Sequence, residues 1–303
     1  LILSFFSSLI IILADPNRPD AGLYHFPYTK IINENKIILG ASNIHFRFGH
    51  TSILQYLNGF NLNFLFNETG ILIPQALIVI SPIIYIFVEY QNNIINKDEQ
   101  LLKLFLFFVI IFFIYSYNRY GSFGNDAAGN IFFILIIYEF LKCNLNREIK
   151  INDFIYISLL AVFCFALKPF LVLSFLFPLF LFWRIKKKWK KIIYSKKFLV
   201  VSFFLIAFLF KNLLVSGCLI YPSKITCFNN FSWTNITVTE RENVLGDAWS
   251  KDWSNYSNKN NLEPKEYIKN FIWINTWRDN QLKKIISKII PFLFFSFLIS
   301  VYL

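Results

Sequence analysis

The residues that could do chemistry gather early in the chain. Residues 14–52 read A-D-P-N-R-P-D-A-G-L-Y-H-F-P-Y-T-K-I-I-N-E-N-K-I-I-L-G-A-S-N-I-H-F-R-F-G-H-T-S, between two apolar runs. They hold Asp15 and Asp20, two arginines, two lysines and all three histidines, His25, His45 and His50. A connector between apolar helices needs no such density of ionisable groups. Asp20 is the candidate acid or base, because a carboxylate can take the proton of an attacking hydroxyl. His25 is a candidate for binding a phosphate or an acceptor. His45 and Arg47 are two apart, so in an extended segment they share a face and suit an anion. Further on, Asp126 lies in the polar turn N-R-Y-G-S-F-G-N-D-A-A-G-N, and Lys168 precedes Pro169 between two apolar runs. Carboxylates with cations suit transfer of a group from a phosphate, where negative charge grows on the leaving oxygen.

Each residue also has a plainer reading. Asp20 can be a helix N-cap, favoured there by free N–H groups and the helix dipole. Asp15, in D-P-N, suits a turn, and so does Asp126 after Gly-Asn. Lys168 can snorkel to headgroups. The three histidines lack a spacing recognised for zinc. The sequence leaves the cofactor open, a divalent cation that Asp20 could help to position being one candidate.

The elements that must hold these residues are apolar helices. The 303 residues are 56% hydrophobic with 38 Phe, and only 16% are charged. Mean hydropathy is +0.50. Many of the apolar residues come in blocks long enough to cross a hydrocarbon core of about 30 Å, without the alternating pattern of a membrane β-barrel. The expected fold is an all-α polytopic membrane protein with about eight transmembrane helices: residues 1–13, 71–90, 101–117, 127–141, 154–167, 170–183, 198–215 and from about 285 onward. The chain lacks Met and both begins and ends inside an apolar run, which reads as a single membrane domain clipped at both ends.

The net charge of +12 does not point to nucleic acid, because it concentrates in short loops beside the apolar runs. In R-I-K-K-K-W-K-K at 184–191, six of eight residues are cationic, which marks a cytoplasmic loop. Counting outward places 14–70 as a first periplasmic loop, 118–128 and 168–169 as short external turns, and 217–282 as a long periplasmic loop rich in Trp and Tyr. Lys283, Lys284 and Lys288 oppose this map, but long loops cross largely regardless of charge. Helical spacing over 21–35 suggests a helix lying on the membrane surface, and a second amphipathic stretch covers 51–66. Cys143 and Cys164 read as apolar packing residues. Cys218 and Cys227 bracket C-L-I-Y-P-S-K-I-T-C, and an oxidising compartment would join them as a disulfide.

Three motifs carry a resemblance: D-A-G-L-Y-H at 20–25, G-A-S-N-I-H-F-R-F-G at 40–49, and L-V-S-G-C-L-I-Y-P-S at 214–223 with Trp233 after it. The chain resembles a bacterial family of uncharacterised polytopic membrane proteins that is similar to the C-type integral-membrane glycosyltransferases, among them lipid-A aminoarabinose transferases and protein mannosyltransferases. The resemblance implies a catalytic aspartate in the first external loop, matched by Asp20. It also implies a second acid in the next external loop, matched by Asp126, and a polyprenyl-phosphate-linked sugar as donor in the bacterial inner membrane. The family's hairpin lysine is usually followed by a small polar residue, whereas Pro169 follows Lys168. On this reading His25, His45, Arg47 and Lys168 meet phosphate or substrate. The alternatives are a surface-polysaccharide ligase or polymerase, with its key Arg and His in the later loop (Arg241, Arg278), and a transporter. Transport is disfavoured because the spans hold almost no ionisable residues apart from Glu89 and Glu139 near their inner ends.

Overall fold

The computed structural model describes residues 2–14, 20–35, 37–92, 97–121, 123–145, 149–254, 262–287, 289–291 and 294. The sequence expectations for Asp15, Lys288 and most of the last apolar run fall outside these residues. The described chain is helical, with no β-strand. Four helical segments are long and apolar enough to cross a membrane: Leu72–Gln91, Asn125–Leu145, Pro169–Ile193 and Lys196–Ser216. Two further apolar helices are shorter, Gln100–Ser116 and Ile151–Leu167. The described part of the first helix, α1 (Ile2–Ile12), has 11 residues. The described residues therefore supply four such spans, fewer than the eight expected.

The elements between them, in chain order, are a π-turn (Ala21–His25) running into α2 (Phe26–Asn35), 3₁₀ turns at Ala41–Asn43 and Phe46–Gly49, α3 (Ile53–Phe60), α4 (Leu72–Gln91), α5 (Lys97–Ser116) and α6 (Asn125–Leu145). Then come α7 (Ile151–Leu167), a 3₁₀ turn (Pro169–Phe175), α8 (Leu176–Ile185), α9 (Trp189–Ile193), α10 (Lys196–Ser216), α11 (Ile236–Ser250), α12 (Pro264–Lys269) and α13 (Trp273–Trp277). Pro74 falls in the first turn of α4, where its missing N–H costs nothing, so Pro82 is the proline in that helix's interior.

Helix α7 is the centre of the bundle. Most of it is buried, from Phe154 through Ala161 to Leu167, while Asn152, Tyr156 and Leu159 are exposed along one side. Small residues let α6 approach it closely. Gly129 of α6 is one such position, since a Cβ there would sit 3.0 Å from Leu171 Cδ1 and 3.4 Å from Lys168 Cβ, close enough that these side chains would have to shift. The outer surface is apolar instead. On α10, Leu199, Phe203, Ile206 and Phe210 are exposed along one face, while Val201, Phe208, Asn212 and Val215 are buried on the other. Such a stripe suits lipid rather than water.

Two ends of the bundle are distinguished by their polar ties. At one end Arg184 donates to Asn144 Oδ1 at 2.7 Å, Lys197 donates to Asn152 Oδ1 at 3.5 Å, and Lys142 pairs with Glu89. The basic run Lys186–Lys191 lies at this end, in the connection from α8 to α10. The other end holds Lys168, the start of α6 and the end of α10. Helix α10 stops at Gly217, whose φ of 76° is a left-handed cap that favours glycine. Its 21 residues span about 30 Å at 1.5 Å each, so the basic run and Gly217 are separated by roughly a hydrocarbon thickness.

Candidate functional site

At the Gly217 end a cleft of about 1190 Å³ opens between the first polar segment, the turn before α6, the α7–α8 hairpin and the long segment after α10. Asp20, His25, Arg47, Asp126 and Lys168 all line it, although 148 residues separate the first from the last in sequence. No tryptophan lines it; its aromatic walls are Tyr24, Tyr221 and Phe170. Trp233 is instead a strut, donating from Nε1 to the Leu213 carbonyl at 3.1 Å while its own carbonyl accepts from Asn43 at 2.7 Å.

Asp20 occupies the position before the π-turn, is exposed, and makes no capping hydrogen bond. The turn closes through the Phe26 N–H to the Ala21 carbonyl, five residues apart, which brings residues four and five apart onto one face. Asp20, Tyr24 and His25 thus point together. Burial first, then the Asp20 charge, pushes the Tyr24 hydroxyl up to about 12.

His25 is buried, with 8% of its surface exposed. Burial brings it down to about 4, with the Asp20 and Asp126 charges opposing that shift and Arg47 adding to it, so it is neutral at pH 7. Its tautomer follows from its neighbour. Ser52 caps α3, and its N–H donates to Gln55 Oε1 at 3.0 Å. The Gln55 amide nitrogen is then left to donate to His25 Nδ1 at 3.2 Å. The imidazole proton is on Nε2, which lies 3.8 Å from where a Cβ on Gly124 would stand. His25 is therefore a neutral N–H donor and a poor base.

Arg47 reaches the cleft from the 3₁₀ turn Phe46–Gly49, with its guanidinium 5.6 Å from the Tyr24 ring centroid and 5.1 Å from that of Phe46. No carboxylate forms an ion pair with it among the described residues. His45 does not join it. The expectation of an extended segment fails because the backbone turns into a 3₁₀ helix after His45, and at three residues per turn positions two apart do not share a face. His45 Nδ1 instead accepts the Arg47 backbone N–H at 3.3 Å, and its ring stacks on Phe46. It caps the turn that carries Arg47 and lies outside the cleft.

His50, unassigned by spacing, lines the cleft with its ring edge-on to Tyr221 at 5.2 Å. Burial first, then Arg47, brings it down to about 4. Tyr221 sits over Gly49, where a Cβ would be 2.5 Å from its Cε1. Its hydroxyl is raised, chiefly by burial.

Lys168 and Asp126 are an ion pair, Nζ to Oδ1 at 2.6 Å, so neither faces the cleft alone. Cys218 and Cys227 are joined by a disulfide nine positions apart that closes the segment carrying Tyr221. Cys143 and Cys164 are free and buried. No group of three or more His, Cys, Asp or Glu suited to a metal ion occurs among the described residues.

The end of α10 ties both sides of the cleft together. Thr51 donates to Asn212 Oδ1 at 2.8 Å, and Asn212 Nδ2 donates to the Leu219 carbonyl at 2.9 Å. Lys211 donates to Thr51 Oγ1, and its ammonium lies 4.2 Å from the Phe208 centroid. Lys211 is thus an ionisable residue in a span besides Glu89 and Glu139, contrary to the sequence expectation. It serves as a tether to the first polar segment.

No curated protein and no solved structure matches this chain. A family model described as a domain of unknown function (DUF8201) matches residues 1–303, and the chain belongs to that family.

Proposed function

We propose that this protein is a membrane glycosyltransferase that moves a sugar from a polyprenyl-phosphate donor to an acceptor at the periplasmic face of a bacterial inner membrane. In this reading the chain crosses the bilayer about eight times, with 14–70 and 217–282 outside and the basic run Lys186–Lys191 in the cytoplasm. The disulfide in the long outer segment suits an oxidising compartment. The observation that carries the proposal is the cleft lined both by an exposed Asp20 that makes no capping hydrogen bond and by an Arg47 that has no carboxylate partner among the described residues, at the end of the bundle opposite the basic run.

Asp20 takes the proton of the acceptor hydroxyl. The acceptor oxygen forms a bond to the anomeric carbon, and the bond from that carbon to the phosphate oxygen breaks. The electron pair stays on that oxygen, and the polyprenyl phosphate leaves as an anion. Arg47 and the His25 Nε2–H donate to the charge that develops there. Lys168, shared with Asp126, stands at the mouth of the site, and the exposed Phe170 and Leu173 give an apolar wall toward the lipid. His45 acts at one remove, by holding the Arg47 turn.

The test is mass spectrometry of surface glycans from a deletion strain complemented with wild type or with Asp20→Asn. Wild type should restore the missing sugar. Asp20→Asn should not, at an equal protein level in the membrane; restoration by the variant refutes the assignment. The ligase reading draws no support, because Arg241 lies outside the cleft and Arg278 contacts Asp279 at 3.3 Å.

A further inference from the structure

The part of the cleft lining supplied by the long segment after α10 carries its own cations. Helix α12 buries Tyr267, which is 0% exposed and donates its hydroxyl to the Lys251 carbonyl at 2.8 Å. At about 100° per residue, Lys265 and Lys269 both lie about 200° around the axis from Tyr267. They share the opposite face, Ile268 lies on the flank between, and all three line the cleft. The lysines are four apart, hence neighbours on the helix surface.

Neither has a carboxylate within ion-pair distance among the described residues. Of the acids lining the cleft or near it, Asp247 pairs with Lys251 at 2.8 Å, Glu240 with Lys224 at 3.0 Å, and Asp126 with Lys168 at 2.6 Å, while Glu263 and Glu266 on the lysines' own helix form no ion pair with them. The cleft thus has two cationic poles on different walls. Arg47 stands beside Asp20, Tyr24 and His25, whereas Lys265 and Lys269 stand on the long segment after α10. One donor phosphate next to the reacting centre needs only the first pole.

We infer that Lys265 and Lys269 recognise an anionic group on the acceptor, a phosphate or carboxylate on a glycan or glycolipid. This rests on the transferase reading and narrows its acceptor class. The two lysines set which acceptor is held, and Asp20 works on its hydroxyl. The chemistry is shared with the donor phosphate, so the test must separate the two sources.

The experiment uses the full chain in detergent, with farnesyl phosphate as donor-side probe and glucose 6-phosphate against glucose as acceptor-side probes. Wild type should bind glucose 6-phosphate at least about tenfold tighter than glucose, a preference that weakens as salt rises. The double variant Lys265→Gln/Lys269→Gln should lose that preference and keep its farnesyl phosphate affinity. Arg47→Gln should do the reverse. The lysines are exposed, and Arg47 is half-buried with no ion pair to lose among the described residues, so both variants should elute as wild type on gel filtration. The inference is overturned if the double variant keeps the preference for glucose 6-phosphate, or if it loses farnesyl phosphate instead. Failure of wild type to bind farnesyl phosphate would overturn the transferase reading itself, which is a separate result.

Discussion

Lowering the pH from 7 to 5 should destabilise this protein through two histidines. His25 and His50 are both held down to about 4 by burial, with Arg47 adding to the effect, against 6.5 in the unfolded chain. Their neutral forms belong to the folded state. Stability from this source is therefore whole above pH 6.5 and falls as pH drops toward 4, because the unfolded chain takes up protons that the folded chain refuses. Between pH 7 and 5 the loss is about 2 kcal/mol for each histidine, enough to lower Tm by several degrees. The assay is thermal unfolding of the purified protein in detergent at both pH values. Carboxylates titrate in both wild type and variants, so the difference between them isolates each histidine. His25→Gln and His50→Gln should each lose measurably less Tm on acidification than wild type, whatever their Tm at pH 7. Equal losses in wild type and both variants would refute the reasoning.

Other consequences can be checked in the same way. Gly49→Ala pushes a methyl into the Tyr221 ring and should cost about 1–3 kcal/mol in thermal unfolding, far more than alanine at the open Gly246. Gln55→Leu removes half of the Ser52 capping box and leaves His25 Nδ1 without its donor, for a loss of about 1–3 kcal/mol. The ¹⁵N chemical shifts of His25 should then show the Nε2–H form giving way to a tautomer mixture. Asn212→Leu breaks the link between Thr51 and Leu219 and should lower transfer while leaving the π-turn around Asp20 intact, read as protection of residues 20–25 in hydrogen exchange.

Much of the architecture was legible because lipid imposes it. A run such as Leu72–Gln91 has to be helical, since no water in the bilayer satisfies its backbone. The number of crossings was less legible. Helix α7 has 17 residues, short for a span by length, yet it is the most enclosed helix of the bundle. Counting charges put Asp20, Asp126 and Lys168 at one end of the helices, because helix direction alternates along the chain. Local backbone in the polar segments was not legible. Nothing in H-F-R-F-G separates an extended strand from a 3₁₀ turn, and that choice decides whether His45 faces the cleft or caps it. Lys211 was missed because one lysine barely dents the hydropathy of a 21-residue run. Lys265 and Lys269 left only a four-residue spacing after Pro264, which many solvent-exposed helices share.

The account depends most on which side of the membrane the cleft opens. Cysteine placed singly at Asp20 or at Lys187 answers this directly in intact cells with a membrane-impermeant maleimide, since the free Cys143 and Cys164 are buried and Cys218 is bonded to Cys227. The account predicts that Asp20→Cys is labelled from outside and Lys187→Cys only after the membrane is opened. Labelling of both from the same side, or of Lys187→Cys alone from outside, would contradict it.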